Sequence, residues 1–297
     1  MRRNARSSRG ISALAALLCA GLTGAAAAQS APGQTTPSLT APGQTAKPEI
    51  RVGVELILAV DVSRSIDPIE QTIQRRGYAA AFRSPEVQAA ILEGGWGRVA
   101  ITYLEWGGAA NQVVLIPWTL IDSRAAADRF AARIEAEPLT SLSRTSISGA
   151  IRYAVRLFDG NGYRGLRRVI DISGDGPNNA GEPVTVARDA AVAQRITLNG
   201  LPLMTNTDEV TTPFGNWGNI PHLDRYYADC VIGGPGAFSL PVTSWEAFPG
   251  AVRRKMVLEL AGRMPAPRAR VVPAQAEAPV DCLIGEKMWR QRWGGGN

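Results

Sequence analysis

The 297-residue sequence predicts an α/β fold: a mostly parallel, doubly wound sheet covered by helices on both faces. Two observations carry that prediction. Apolar runs of strand length alternate with helix-length amphipathic segments from residue 52 to residue 260. The first run, Val52–Val60 (VGVELILAV), is apolar almost throughout instead of alternating, as a central strand buried on both faces must be.

Each element has its own signal. After Val52–Val60, Asp67 suits an N-cap and Pro68 the first position of a helix that runs to about Arg83. Val99–Trp106 and Val113–Trp118 read as strands. Ser123 caps a helix to about Glu135, and another helix runs from near Ser146 to Phe158. Arg168–Ser173 is a strand, Pro183–Gln194 a helix and Ile196–Leu203 a strand. Beyond an irregular stretch, Ala237–Val242 is expected as a last short strand, and Trp245–Leu260 closes the body as an amphipathic helix. The Gly-rich 232–236 segment lacks the Lys and Ser or Thr of a phosphate loop and reads as a tight turn. Residues 49–262 are the right size for one domain.

The flanks have a different character. Arg2, Arg3, Arg6 and Arg9 precede an apolar run, Ile11–Leu22, and small residues up to Ala28, the pattern of a secretory signal cleaved after Ala28. That run is too short for a membrane span. Cys19 lacks the preceding small residue of a lipid-modification signal, and Arg2-Arg3 lacks the rest of a twin-arginine signal. Residues 29–48 repeat Ala-Pro-Gly-Gln-Thr at 31–35 and 41–45 and are expected to be a disordered linker. Residues 263–297 form a Pro-rich connector and a short tail. The expected location is extracytoplasmic.

Composition excludes several functions. The chain carries +6, but four arginines and no acidic residue precede residue 29, so the remainder has 28 basic against 26 acidic residues, a net +2. Such a balance names no nucleic-acid partner. His222, in a polar stretch, is the single histidine, which excludes zinc sites built on several histidines. Cys230 and Cys282 are the cysteines left after the signal, and an isolated pair in an exported chain is expected to form a disulfide.

The chemistry is concentrated in three segments. Asp61, Ser63 and Ser65 begin where the first strand ends, and the carboxyl ends of parallel strands are where such sheets bind ligands. One carboxylate and two hydroxyls are hard oxygen donors, suited to Mg²⁺, Mn²⁺ or Ca²⁺ and poor for zinc or copper. Thr145 opens a later helix, and Asp175, followed by Gly176, lies just past another apolar strand. Asp171, inside that strand, competes with Asp175 for the third position, but only Asp175 stands at a turn. Glu105 is a candidate for the rim with an ordinary strand-end role equally open, Arg64 either steers an acidic ligand or is solvated, and Asn178 and Asn179 read first as turn residues, with the rim as their alternative.

The order D-x-S-x-S, threonine at a helix start, then D-G after a strand resembles a von Willebrand factor type A domain with an intact metal-ion-dependent adhesion site. Asp61, Ser63 and Ser65 match its first motif, Thr145 its second and Asp175 its third. The segments AVDVSRSID, RTSISGAI, VIDISGDGPNN and DCVIGGPGAF resemble a bacterial, signal-bearing family of unknown function within that superfamily. The resemblance covers about residues 50–262. It implies a Rossmann-like domain with a metal at the top of the sheet, completed by a carboxylate from a protein or other acidic ligand. A binding module is therefore expected rather than an enzyme; a metal-assisted hydrolase and an envelope protein with a purely stabilising metal are the alternatives. Few general bases and no G-x-S-x-G elbow weigh against the hydrolase.

Overall fold

β1 (Ile50–Asp61) runs through the middle of a five-stranded sheet of order β3-β2-β1-β4-β5 in the computed structural model, which describes residues 49–205, 220–261 and 280–293. The expected signal (1–28), linker (29–48) and connector residues 263–279 lie outside the described residues. β1 pairs in parallel with β2 (Val99–Trp106) and β4 (Tyr163–Gly174), and β4 in parallel with β5 (Ile196–Pro202). β3 (Gln112–Ile121) is the antiparallel edge, paired with β2.

Alternation along β1 divides the interior into two cores. Leu56, Leu58 and Val60 face one, built with α1 (Pro68–Arg83), α2 (Pro85–Leu92), α3 (Arg124–Ala136) and α7 (Phe248–Leu260). Ile57 and Ala59 face the other, built with α4 (Ile147–Leu157), α5 (Val184–Ala193), the short α6 (Leu223–Tyr226) and the π-helical turn Tyr227–Val231 that continues it. Strand and helices thus form three layers, and β1 is buried from Val52 to its end.

Capping sets the helix starts where polar side chains predicted them. Asp67 accepts from the amides of Ile69 and Glu70, while Glu70 accepts from the amide of Asp67, a closed capping box. Ser123 and Ser146 accept from the amides of Ala126 and Gly149 at the starts of α3 and α4. Ser84 ends α1 and caps α2, a further helix not among the sequence expectations.

The structure differs from these expectations in several places. Ala237–Val242 forms no regular strand; Ser239 and Val242 make isolated bridges to Gly200 and Leu203. Pro241 has no amide to donate, and Gly234 and Gly236 with positive φ turn the chain just before. The last body helix starts at Phe248 and not at Trp245, because a turn over Ser244–Ala247 precedes Pro249 in its first turn. The tail, in turn, contains a helix, α8 (Ile284–Trp293). β4 also begins earlier than its apolar signal, since Tyr163–Arg167 pair with Ile50–Val54 despite their polar sequence.

Cys230 and Cys282 are disulfide-bonded, joining the π-helical turn to the segment before α8. No helix among the described residues is long and apolar enough to cross a membrane.

Candidate metal centre

Asp61 ends β1 on the carboxyl edge of the sheet, next to Trp106 of β2. Its Oδ1 accepts the amide of Ser63 at 2.7 Å, which folds the chain back at the strand end. Ser63 Oγ and Ser65 Oγ are 3.0 Å apart, and Ser65 Oγ donates to Asp175 Oδ1 at 2.8 Å. Asp175 immediately follows β4, the strand adjacent to β1. Four of the five expected donors therefore meet through a continuous chain of polar contacts. Asp61, Ser63 and Asp175 are buried, and Ser65 is half-buried.

Thr145 is brought alongside by its backbone. Leu142 N donates to Val62 O at 2.9 Å, bridging Ser63 to the same segment. Thr145 N donates to Asn179 Oδ1 at 3.0 Å, and Asn179 N returns a bond to Thr145 O at 2.8 Å. Thr145 thus lies in a segment tied to the Ser63 turn at one end and to the loop after Asp175 at the other. The helix it precedes begins two residues later, with Ser146 as its cap.

The electrostatics are those of two carboxylates in one dry place. Burial, then the nearby Asp175, holds the Asp61 carboxyl well above the ordinary range. Burial pushes Asp175 up to about 6, with Glu70 adding to the rise and the Ser65 bond opposing it. Asp61 Oδ2 is buried and has no hydrogen-bond partner. An orphaned carboxylate oxygen is costly unless a cation or proton meets it, and hydroxyls beside it are hard donors. The donor set therefore fits a divalent ion of the Mg²⁺ type. Among the described residues no three His, Cys, Asp or Glu side chains gather to hold a metal, so any ion here must be held partly by hydroxyls.

Two neighbours were not signalled by sequence. Gly174 fits closely between strands: a Cβ there would lie 3.0 Å from both Asp61 Oδ2 and the hydroxyl of Tyr227. Tyr227 comes from the π-helical turn, and burial followed by Asp61 and Asp175 pushes its phenol well up. Nothing in its surroundings along the chain marks it. Glu70 is the other; it closes the capping box of α1 and adds to the rise at Asp175.

The competing candidates have other partners. Asp171 is one register step from Ile170 and Ile172, so its side chain leaves the site's side of the strand for α7, where Lys255 Nζ lies 2.9 Å away. Glu105 is buried and paired with Arg75 at 2.7 Å, and it also accepts from Thr140. Arg75 in turn donates to Pro138 O at 2.9 Å, so the pair secures α1 to the 137–140 loop and does not face the rim. Trp106 is fully buried in the second core. Asn178 is a junction: its Oδ1 accepts from Ser148 N at 3.0 Å, and its Nδ2 donates to Glu182 O at 3.0 Å and Glu286 Oε1 at 2.7 Å. Arg64 and His222 are exposed.

Known proteins agree with this architecture. A family model described as a protein of unknown function, DUF1194, matches residues 51–264. No curated protein matches the chain in sequence. Among solved structures, proximal thread matrix protein 1 from the mussel byssus, in a form described with a zinc-occupied MIDAS motif, is 14% identical with a TM-score of 0.52, covering 72% of this chain and 49% of its own. The pilus adhesin SpaC from Lactobacillus rhamnosus GG is 9% identical with a TM-score of 0.51, covering 72% of this chain and 32% of its own. This chain thus spans about half of the first and a third of the second. The likeness is one of fold.

Proposed function

The chain belongs to the DUF1194 family of proteins of unknown function, and we propose that it is an exported, divalent-metal-dependent binding module and not an enzyme. The observation that carries this reading is the buried, unpartnered Oδ2 of Asp61 beside the hydroxyls and carboxylate of Ser63, Ser65 and Asp175. In this reading Asp61, Ser63, Ser65, Thr145 and Asp175 hold one Mg²⁺, or Mn²⁺ or Ca²⁺. The ion supplies a partly uncompensated positive charge that a carboxylate on a protein or other acidic ligand can meet. The zinc-occupied motif of the mussel byssus protein, on the same fold, supports a divalent ion. The adhesin fold of SpaC supports a binding role.

The chain's own residues do the positioning. Ser65 orients Asp175 by donating to it, and Ser63 N orients Asp61. Both serine hydroxyls are engaged with each other and with a carboxylate, the grouping of hard oxygen donors that a shared ion would use. Export follows from the Arg-rich and apolar start of the sequence, with the mature chain beginning near Gln29 in the periplasm.

The test is titration calorimetry with Mg²⁺ and Mn²⁺ on wild type and Asp61→Ala, followed by capture of partners from envelope extract with and without EDTA. Metal binding and capture are expected for wild type and lost in Asp61→Ala. A partner that binds equally well in EDTA overturns the reading.

A further inference from the structure

The tail helix α8 rests on both loops that carry the later candidate ligands. Glu286 Oε1 accepts from Asn178 Nδ2 at 2.7 Å, three residues beyond Asp175. Gly285 is pressed against the same residue: a Cβ there would lie 2.1 Å from Asn178 O. On the second loop, the guanidinium of Arg144 lies 4.3 Å from the ring centre of Trp289. Arg144 immediately precedes Thr145 and has φ of 68°, a left-handed conformation that a non-glycine residue holds only under restraint. The stacked indole is such a restraint.

The two loops are themselves knit together under α8. Asn178 receives the Ser148 amide, and Asn179 exchanges two bonds with Thr145. Asn178 N also donates to the Tyr226 hydroxyl at 3.1 Å, one residue from the Tyr227 that neighbours Asp61. Val280, Cys282 and Ile284 pack against the second core, and the Cys230–Cys282 disulfide fixes the start of the helix to the π-helical turn.

We infer that α8 is a positioning brace for the metal centre, with Glu286 and Trp289 as its positioning residues and the disulfide as its clamp. The inference rests on the proposed metal reading. It assigns to the tail the work of holding Thr145 and Asp175 at a separation that accepts an ion. Partners one step removed from metal ligands typically change affinity by about 10–100-fold when lost.

The experiment measures two quantities on the full chain. One is the Mn²⁺ dissociation constant. The other is hydrogen exchange at the amides of Thr145, Ser148, Asn178 and Asn179 in metal-free protein. Gly285→Ala pushes the helix off Asn178 while keeping the disulfide, and Cys282→Ser opens the clamp. Both are expected to weaken Mn²⁺ by roughly 10-fold or more and to speed exchange at the four amides. Glu286→Gln keeps an acceptor for Asn178 and is expected to retain both properties where Glu286→Ala loses them. Lys287→Ala, on the exposed side, is expected to change neither. Unchanged exchange in Gly285→Ala and Cys282→Ser overturns the brace, as does exchange that speeds while Mn²⁺ affinity holds. Mn²⁺ binding that is indifferent to Asp61→Ala overturns the metal reading instead, and exchange still decides whether α8 holds the loops.

Discussion

Asp171 within β4 and Asp175 just past its end are both buried, yet they behave differently because of where their side chains point. Asp175 lies beside Asp61, whose Oδ2 is unpaired, and its charge adds to burial in raising the Asp61 carboxyl. Asp61→Asn removes one buried charge while its carbonyl oxygen can still accept from Ser63 N. Metal-free protein should gain about 1–3 kcal/mol in denaturant unfolding at pH 7 while divalent binding is lost. Equal stability of the two proteins would show that Asp61 bears no such cost. Asp171 shares a single ammonium with Glu259: Lys255 Nζ lies 2.9 Å from Asp171 and 2.5 Å from Glu259. Two carboxylates and one cation leave an excess negative charge. Burial, then Glu259, therefore raises Asp171 to about 7 against Lys255. A carboxyl raised on folding holds its proton in the native state after the unfolded chain has released it. Its contribution is present below about pH 4 and lost as pH rises through about 7. Asp171→Asn should flatten the fall in stability over that window, as read by urea midpoints from pH 4 to 8.

Helices and strands here are set by contacts that reach beyond propensity. Gly77 sits mid-helix in α1, where alanine would be preferred by about 1 kcal/mol. Yet a Cβ there would lie 2.6 Å from the Phe248 ring of α7. Gly77→Ala should therefore destabilise by about 1–3 kcal/mol through overpacking, a loss of thermal midpoint that the propensity argument alone would give the opposite sign. The same first core stacks Tyr78 edge-on against Phe248 and Tyr103. α8 illustrates the reverse case. Its sequence, IGEKMWRQRW, has no broad apolar face; Ile284 at its start packs against the second core, and its polar partners are the loop residues Asn178 and Arg144.

Across the whole molecule, the disulfide joins residues 52 apart in sequence and ties the tail to the body. In the chain-entropy model such a closure contributes about 4 kcal/mol, less where the unfolded chain retains structure. Cys282→Ser should lower unfolding stability by up to that amount, and unreduced wild type should show no free thiol at Cys230 or Cys282. The N-terminus is the second expectation at this scale. Mass spectrometry of exported protein should find a chain beginning near Gln29; an intact Met1 would overturn export through a cleaved signal.

The strand order was not legible, but the five strands of the sheet were, while Ala237–Val242 forms only isolated bridges. Val52–Val60 and Val99–Trp106 announce themselves because a strand buried on both faces has no polar positions to interrupt it. The helix starts at Pro68, Arg124 and Ile147 follow from Asp67, Ser123 and Ser146, whose side chains bond amides only two or three residues away. Asp61, Ser63 and Ser65 were readable for the same reason: their spacing is local. What the chain could not reveal alone depends on groups brought together from far apart. Asp175 reaches Ser65 across 110 residues of sequence, Asp171 finds Lys255 on the opposite face, and Tyr227 arrives beneath Gly174 from an irregular segment. Local bonds are encoded by neighbours. Buried charges and orphaned oxygens acquire their meaning only when the sheet decides which side chains share a dry space.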